Sequence, residues 1–241
     1  MTGFNGAFVI NSQTKEQLIH EDPKSAEIIR PILRGRDISR YDYDFEDSWL
    51  INVHNGIKEK TIPPINIEGY PAVKNHLNHF IDILSKRQDQ GVTPYNLRNC
   101  AYMDDFSKQK IVWARLSRIS KDNVDNFPRF ALVKEDMFVL DSCCFMVGEH
   151  LPLLIKFLNS EFAYYYFLCN VAALDVGGIQ MRQQYVQKIP VPKNLQELAC
   201  CENCDIDKTI YRLFSLSKEE ISFVEKKLKE RKQLIVRSIS H

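Results

Sequence analysis

The chain has 241 residues, of which 44% are hydrophobic and 26% charged. This is ordinary soluble usage with ample apolar content for a core, and it excludes a disordered chain or an exotic compositional class. The formal net charge is only +1, so the strongly basic balance of many free-standing nucleic-acid binders is absent, and any such reading has to rest on local clustering.

The opening "MTGFNGAFVINSQ" has no basic region followed by an apolar run, and no later stretch reaches the roughly 18 uninterrupted apolar residues of a membrane span. The expectation is a soluble, unexported, cytoplasmic protein. Seven cysteines at 100, 143, 144, 169, 200, 201 and 204 form an odd and irregular set, which fits reduced thiols and not a disulfide framework.

Residues 6–19 alternate apolar runs with polar breaks, as a hairpin or sheet edge does. Asp22-Pro23 opens a short helix, which Pro31 is expected to close. "SWLINVH" (48–54) reads as a strand, and Pro63-Pro64 as a loop. From Pro71, Val73, Leu77, Phe80, Ile81 and Leu84 recur at helical spacing, and Gly91 and Pro94 then force a polar loop. "KIVWARLS" (110–117), "RFALV" (129–133) and "MFVLDSCCFMV" (137–147) read as strands. Residues 151–174 are apolar nearly all round and predict one long buried helix. A glycine pair and polar tip follow in "DVGGIQMRQQYVQKIPVP", and a capping box from Ser217 to Glu220 opens a C-terminal helix.

A reaction centre is not legible. Neither common Gly-rich phosphate loop occurs, nor a Gly-x-Ser-x-Gly elbow, nor a His-Glu-x-x-His pair, and the six histidines are scattered. His76 and His79 share a helix face, which ordinary surface residues explain. "CCENC" at 200–204 supplies half of a zinc ligand set, with Cys143 and Cys144 as its only imaginable second half. The acids at 42, 44, 46 and 47 read as a solvated run. No catalytic residue and no metal ligand is assigned.

Charge is unevenly placed. Lys24 to Arg40 holds five basic residues and two acids, with Arg30, Arg34, Arg36 and Arg40 set around Gly35; Ser107 to Lys121 holds five basic residues and no acid. If these segments converge they make the electropositive face that phosphate contacts require. The loops also carry side chains able to pair with base edges: Arg87 and Gln90, Tyr95 and Arg98, Gln180 and Arg182.

In order along the chain, "TGFNGAFVI", "SAEIIRPILRGRDISRY", "WLINVHNG", "YPAVKNHLNHFIDILSKRQDQG", "PYNLRNCAYMDDFSKQKIVWARLS", "LLIKFLNSEFAYYYF" and "GGIQMRQQYVQKIPVP" resemble the TaqI-like C-terminal specificity domain. This is the target recognition domain of adenine-specific DNA methyltransferases and of fused type II restriction–modification enzymes, and it is more distantly similar to type I restriction specificity subunits. The likeness runs from about residue 3 to 195. It implies a mixed α+β fold with a twisted, mainly antiparallel sheet flanked by helices, plus a C-terminal helix. Residues 1–196 would be the recognition domain, 197–216 a polar cysteine-containing linker and 217–241 a docking helix for a methyltransferase domain or a second copy.

In that family an upstream domain holds S-adenosylmethionine and an Asn-Pro-Pro-Tyr-type motif. Here the only Pro-Pro is "TIPPIN", and the Pro-Asp…Asp/Glu-x-Lys nuclease motif is missing. The resemblance therefore implies a module that reads double-stranded DNA, needs no cofactor of its own and leaves chemistry to another domain. On this reading Arg34, Arg36, Arg98 and the turn of Gln180 and Arg182 face the major groove, and Arg30, Arg40, Lys110, Arg115 and Arg118 take phosphates, with Arg87, Gln90 and Tyr95 beside them. Two alternatives stay open: Arg34, Arg36 and Asp37 form an internal ion-pair network, or the chain is a protein-docking module without DNA contact.

Overall fold

In the computed structural model, which describes residues 4–175, 177–201 and 205–238, the elements are short. In chain order they are α1 (Asn5–Phe8), β1 (Val9–Ile10), α2 (Ser12–Glu21), β2 (Ile29–Leu33), β3 (Trp49–Ile51), α3 (Pro71–Asn78), α4 (Ile81–Leu84), β4 (Lys110–Ala114) and β5 (Ser117–Arg118). Then follow β6 (Phe130–Val133), β7 (Phe138–Val139), β8 (Cys143–Met146), α5 (Leu151–Leu158), α6 (Glu161–Asn170), β9 (Gly178–Ile179), α7 (Gln183–Val186), α8 (Ile206–Leu213) and α9 (Lys218–Ser238). The fold is mixed α+β, and every strand pairing is antiparallel except β2 with β7. No described helix is long and apolar enough to cross a membrane.

The chain divides into two compact units. The first holds the residues up to Leu33 with Phe45–Lys108 and Glu135–Leu140. Its sheet has the order β1-β3-β2-β7. Of the hairpin or sheet edge expected over residues 6–19, the edge forms as β1, while Asn11 caps a helix by accepting from Thr14 N at 2.9 Å and the polar run after it takes α2. Pro31 does not close a helix but sits inside β2. The Ile32 N–H, not Pro31, bonds toward β3, and pairing with β7 begins only at Ile32, so Pro31 has no ladder partner on its nitrogen side. The helix expected over 71–84 breaks at His79–Phe80, with Phe80 turned against Phe4 and His76.

The second unit holds Arg34–Asp44, Gln109–Lys134 and the residues from Asp141 onward. A three-stranded sheet β6-β4-β8 and the ribbon β5-β9 lie with α5 to α9 around one core that contains Trp113, Phe130, Phe157, Tyr164 and Phe167. The stretch 137–147 is two strands, β7 in the first unit and β8 in the second. The long helix expected over 151–174 is two, because Ser160 Oγ accepts from Ala163 N at 3.1 Å and starts α6 afresh. Asn159, at the break, is fully buried and pairs with both backbone groups of Phe130: Oδ1 accepts its N–H at 3.0 Å and Nδ2 donates to its carbonyl at 2.9 Å. The open edge of β6 is closed by this side chain together with the backbone of Tyr41, whose N–H donates to the same Phe130 carbonyl at 2.9 Å.

The segment 197–216 is not simply a linker. It contains α8, whose Ile206, Ile210 and Tyr211 lie in the core, a stripe at helical spacing hidden by the cysteine-rich sequence before it. Lys156 Nζ ties the approach by donating to the carbonyls of Leu198 and Cys201 at 2.9 and 3.0 Å. The capping box forms as expected, with Glu220 N on Ser217 Oγ and Ser217 N on Glu220 Oε2. The inner stripe of α9, Val224, Leu228 and Ile235, is buried in this unit's own core and so is not left open for docking.

Where α6, α8 and α9 meet, Asp207 Oδ1 accepts the Glu161 N–H at 2.7 Å and the Tyr211 hydroxyl donates to Glu161 Oε2 at 3.5 Å. Burial pushes both carboxyls above their ordinary values; Asp207 and Glu225 add to the rise at Glu161 against Lys232, while the Glu161 N–H, Arg40 and Lys232 oppose it at Asp207. A raised folded-state value means that ionisation subtracts stability: the penalty is absent below the ordinary carboxylate range and grows as pH rises through it. Glu161→Gln/Asp207→Asn should therefore lose less stability than the wild type between acidic and neutral pH, read as the difference in unfolding midpoint at each pH. Asn159→Ala should cost about 1–3 kcal/mol, since the buried N–H of Phe130 loses its partner while its carbonyl keeps the Tyr41 N–H at 2.9 Å, measured by urea unfolding.

Candidate nucleic-acid interface

The four arginines that begin near residue 30 have unlike surroundings. Arg30 donates to the carbonyls of Ala26, Glu27 and Ile29 at 3.1, 2.7 and 2.9 Å and closes a 3-10 turn, Pro23–Ile28, in the first unit. Arg40, in the second unit, donates to Asp125 O at 3.1 Å and to Asn159 O at 2.6 Å. Arg34 faces the fully buried carboxylate of Asp37 through Nε and Nη2, at 3.1 and 2.9 Å, while its backbone N–H donates to the same carboxylate at 2.7 Å. The internal network weighed from the sequence therefore exists around Arg34. Arg36 turns outward, 68% exposed, with Asp37 3.9 Å away.

This turn is fixed against β8. The Gly35 N–H donates to Ser142 Oγ at 2.9 Å, and a Cβ on Gly35 would stand 2.8 Å from Ser142 O and 3.3 Å from Ala114 Cβ. Glycine is required here by close approach and not by an unusual φ. Ser142 O in turn accepts the Arg115 N–H at 2.8 Å, so one residue joins the arginine turn to the end of β4. Gly35, Arg36, Arg115, Leu116, Arg118, Arg129 and Ser142 line an open cavity of about 420 Å³, and all of them belong to the second unit. Arg36 from the first basic segment and Arg115 and Arg118 from the second thus share one cavity.

Arg129, not singled out from the sequence, completes the group. Its Nη2 donates to Arg118 O at 3.1 Å, and burial lowers its pKa from the ordinary arginine value. Four guanidinium groups surround one cavity with no carboxylate among its lining residues, while Asp37 and Asp175 face Arg36 and Arg118 from outside it. The "GGIQMR" turn is set beside it: β5 pairs with β9, with Arg118 opposite Gly178. A Cβ on Gly177 would drive into the Ile119 carbonyl oxygen, and the Trp113 indole N–H donates to Met181 O. Arg182 is exposed, and it lies with Arg115 close enough to Cys144 to oppose the upward push that burial gives this thiol. No described hydrogen bond or ion pair engages the Arg115 or Arg182 guanidinium, and Gln180 is half-buried with its N–H on Ala172 O.

Other candidates have structural duties. Lys110 is fully buried and donates to Lys134 O at 3.2 Å, where no phosphate reaches it. In the first unit Arg87 is buried, donates to Pro94 O and Asn96 O at 2.7 and 3.0 Å, and lies over the Phe8 ring. Gln90 Nε2 donates to Ser85 O and Arg87 O, and the Tyr95 hydroxyl to Asn78 Oδ1. Arg98 is exposed and pairs with Asp89 at 3.3 Å. The signal that marked these residues, polar side chains in loops, does not distinguish a reader from a brace. Of the "CCENC" candidates for zinc, Cys204 lies outside the described residues.

The arginine-lined cavity and the glycine turns that close it thus lie within a mixed α+β fold. The chain belongs to the TaqI-like C-terminal specificity domain family, whose pattern matches residues 30–191. The fold is similar to the type IIL restriction–modification enzyme MmeI, solved in complex with DNA, at 12% identity and a TM-score of 0.57 over 95% of this chain and 34% of that one. It is also similar to the type IIG restriction endonuclease BpuSI, at 14% identity and a TM-score of 0.50 over 93% of this chain and 28% of that one. The chain thus spans about a third of the length of these structures. None of the curated proteins compared with it matches.

Gly35→Ala should lower stability by about 1–3 kcal/mol, the usual cost of overpacking a closed site. Equilibrium urea unfolding checks it: the midpoint should fall with an unchanged slope.

Proposed function

We propose that the chain reads a sequence in double-stranded DNA for a restriction–modification enzyme, and that the enzyme's chemistry is the transfer of a methyl group from S-adenosylmethionine to adenine N6 in a separate upstream domain. The observation that carries the reading is the convergence of Arg36, Arg115, Arg118 and Arg129 on one cavity inside the span that matches the family. Phosphate contacts fix register and supply salt-dependent affinity, while base contacts discriminate.

The roles follow from what each guanidinium already holds. Arg115 and Arg182, which have no carboxylate of their own among the described residues, suit phosphates. Arg30, Arg34, Arg40 and Arg87 brace the backbone that presents them. A base to be methylated must leave the stack, so the methyltransferase domain would work on the flipped adenine while this module grips the duplex. Contact with that domain is assigned to the outer face of α9, where Phe223 and Leu234 share one side and are half exposed. The rival docking reading relied on the apolar 151–174 segment and the C-terminal helix, and the inner residues of both are buried within the unit's own core.

Duplex binding measured across salt tests the proposal. The wild type should show log K falling linearly with log salt, and Arg115→Ala/Arg182→Ala should make that slope shallower by about 2 × 0.9. Absence of salt-sensitive binding, with the methyltransferase domain supplied as well, would end the DNA reading.

A further inference from the structure

Arg118 is hydrogen-bonded to a carboxylate that lies outside the cavity. Its Nη2 donates to Asp175 Oδ2 at 2.8 Å, while Asp175 Oδ1 accepts the N–H groups of Gly177 and Gly178 at 2.9 and 2.6 Å. The acceptor is therefore oriented by the glycine turn itself. The Arg118 backbone is also held, facing Gly178 across the β5–β9 pair, with its carbonyl taken by Arg129 Nη2 and Asn123 Nδ2. Both side chains are solvent-accessible, 74% for Arg118 and 46% for Asp175. An ion pair so exposed adds little to stability. Its effect lies elsewhere: it sets the plane of the guanidinium and cancels its charge.

Those two effects suit one kind of DNA contact and not the other. A phosphate contact draws its affinity from counterion release and needs uncompensated charge. A base contact needs a planar fork held in one direction, because guanine O6 and N7 accept two parallel N–H bonds from it. One of the five guanidinium N–H groups is engaged by Asp175, and an edge of the fork stays open.

We propose that Arg118 reads guanine in the major groove and that Asp175 is its positioning residue, so that this pair specifies one G·C base pair while Arg115 and Arg182 hold phosphates. The proposal rests on the duplex reading above and adds to it a division of labour among the arginines. It also separates Arg118 from the phosphate role expected from sequence. The carboxylate that makes Arg118 electrostatically silent at long range is the one that makes it selective at short range.

The test uses duplexes enriched from a randomised pool by the wild-type protein, with affinities measured across salt for the enriched duplex and each of its single base-pair substitutions. Arg118→Lys should lose preference at one G·C position by about 5- to 100-fold, with the salt slope unchanged. Asp175→Asn keeps an amide oxygen for the glycine turn, so it should weaken the preference at that same position and steepen the slope by about 0.9 as the Arg118 charge is uncovered. Arg115→Ala should weaken all sequences alike. If Arg118→Lys instead leaves base preference intact, Arg118 is not a reader, and if Asp175→Asn changes neither preference nor slope, Asp175 positions nothing. A wild-type protein that binds no duplex removes the DNA reading itself, an outcome that no variant can imitate.

Discussion

The second unit depends on how one amide closes an edge strand. Asn159 pairs with both backbone groups of Phe130 from a fully buried position, and its own carbonyl accepts from Arg40. A buried peptide group without a partner costs about 1–3 kcal/mol. The break between α5 and α6 is therefore set by the sheet as much as by helix propensity. Arg40 also holds Asp125 O, so a residue from the arginine-rich segment supports the 122–130 loop that leads into Arg129 and Phe130. The charge that looks like a DNA signal in sequence is here part of the framework.

The same logic sorts the whole arginine set. A guanidinium with three backbone carbonyls, as for Arg30, or with a buried carboxylate, as for Arg34, has its donors directed inward. Arg36, Arg115, Arg118 and Arg129 converge because Gly35 and Ser142 allow the turn and the sheet to touch. A module with a net charge of +1 can still present a basic cavity, provided its acids lie elsewhere or, like Asp175, serve as positioning partners.

Much of the architecture was legible in the sequence, and the misses have physical causes. Alternating β-branched and aromatic residues marked β4, β6 and β8, and Ser217 with Glu220 marked the start of α9. Pro31 was misread because proline is compatible with a strand wherever the ladder does not need its nitrogen. α8 was missed because its stripe of Ile206, Ile210 and Tyr211 follows a cysteine-rich run that reads as loop. Within the candidate site, Arg36, Arg115 and Arg118 were named from clustering and Arg182 as a loop side chain able to pair with a base edge, but Arg129 was not named, since a lone arginine at a strand start carries no local signal. Asp175 did carry one, an aspartate two residues before a glycine pair, which is the pattern of a side chain that accepts backbone N–H groups in a turn. Lys110, Arg87 and Gln90 were named for their chemistry, and only burial and partners reveal them as braces.

The central claim is that the arginine cavity of the second unit is where DNA lies. Arginine-specific chemical modification followed by mass spectrometry, with and without an enriched duplex, tests it residue by residue. The account predicts protection by DNA at Arg36, Arg115, Arg118 and Arg182, with Arg98 and Arg237 modified equally in both samples. Protection centred on Arg98, or no change at the cavity arginines while the duplex is bound, would contradict it.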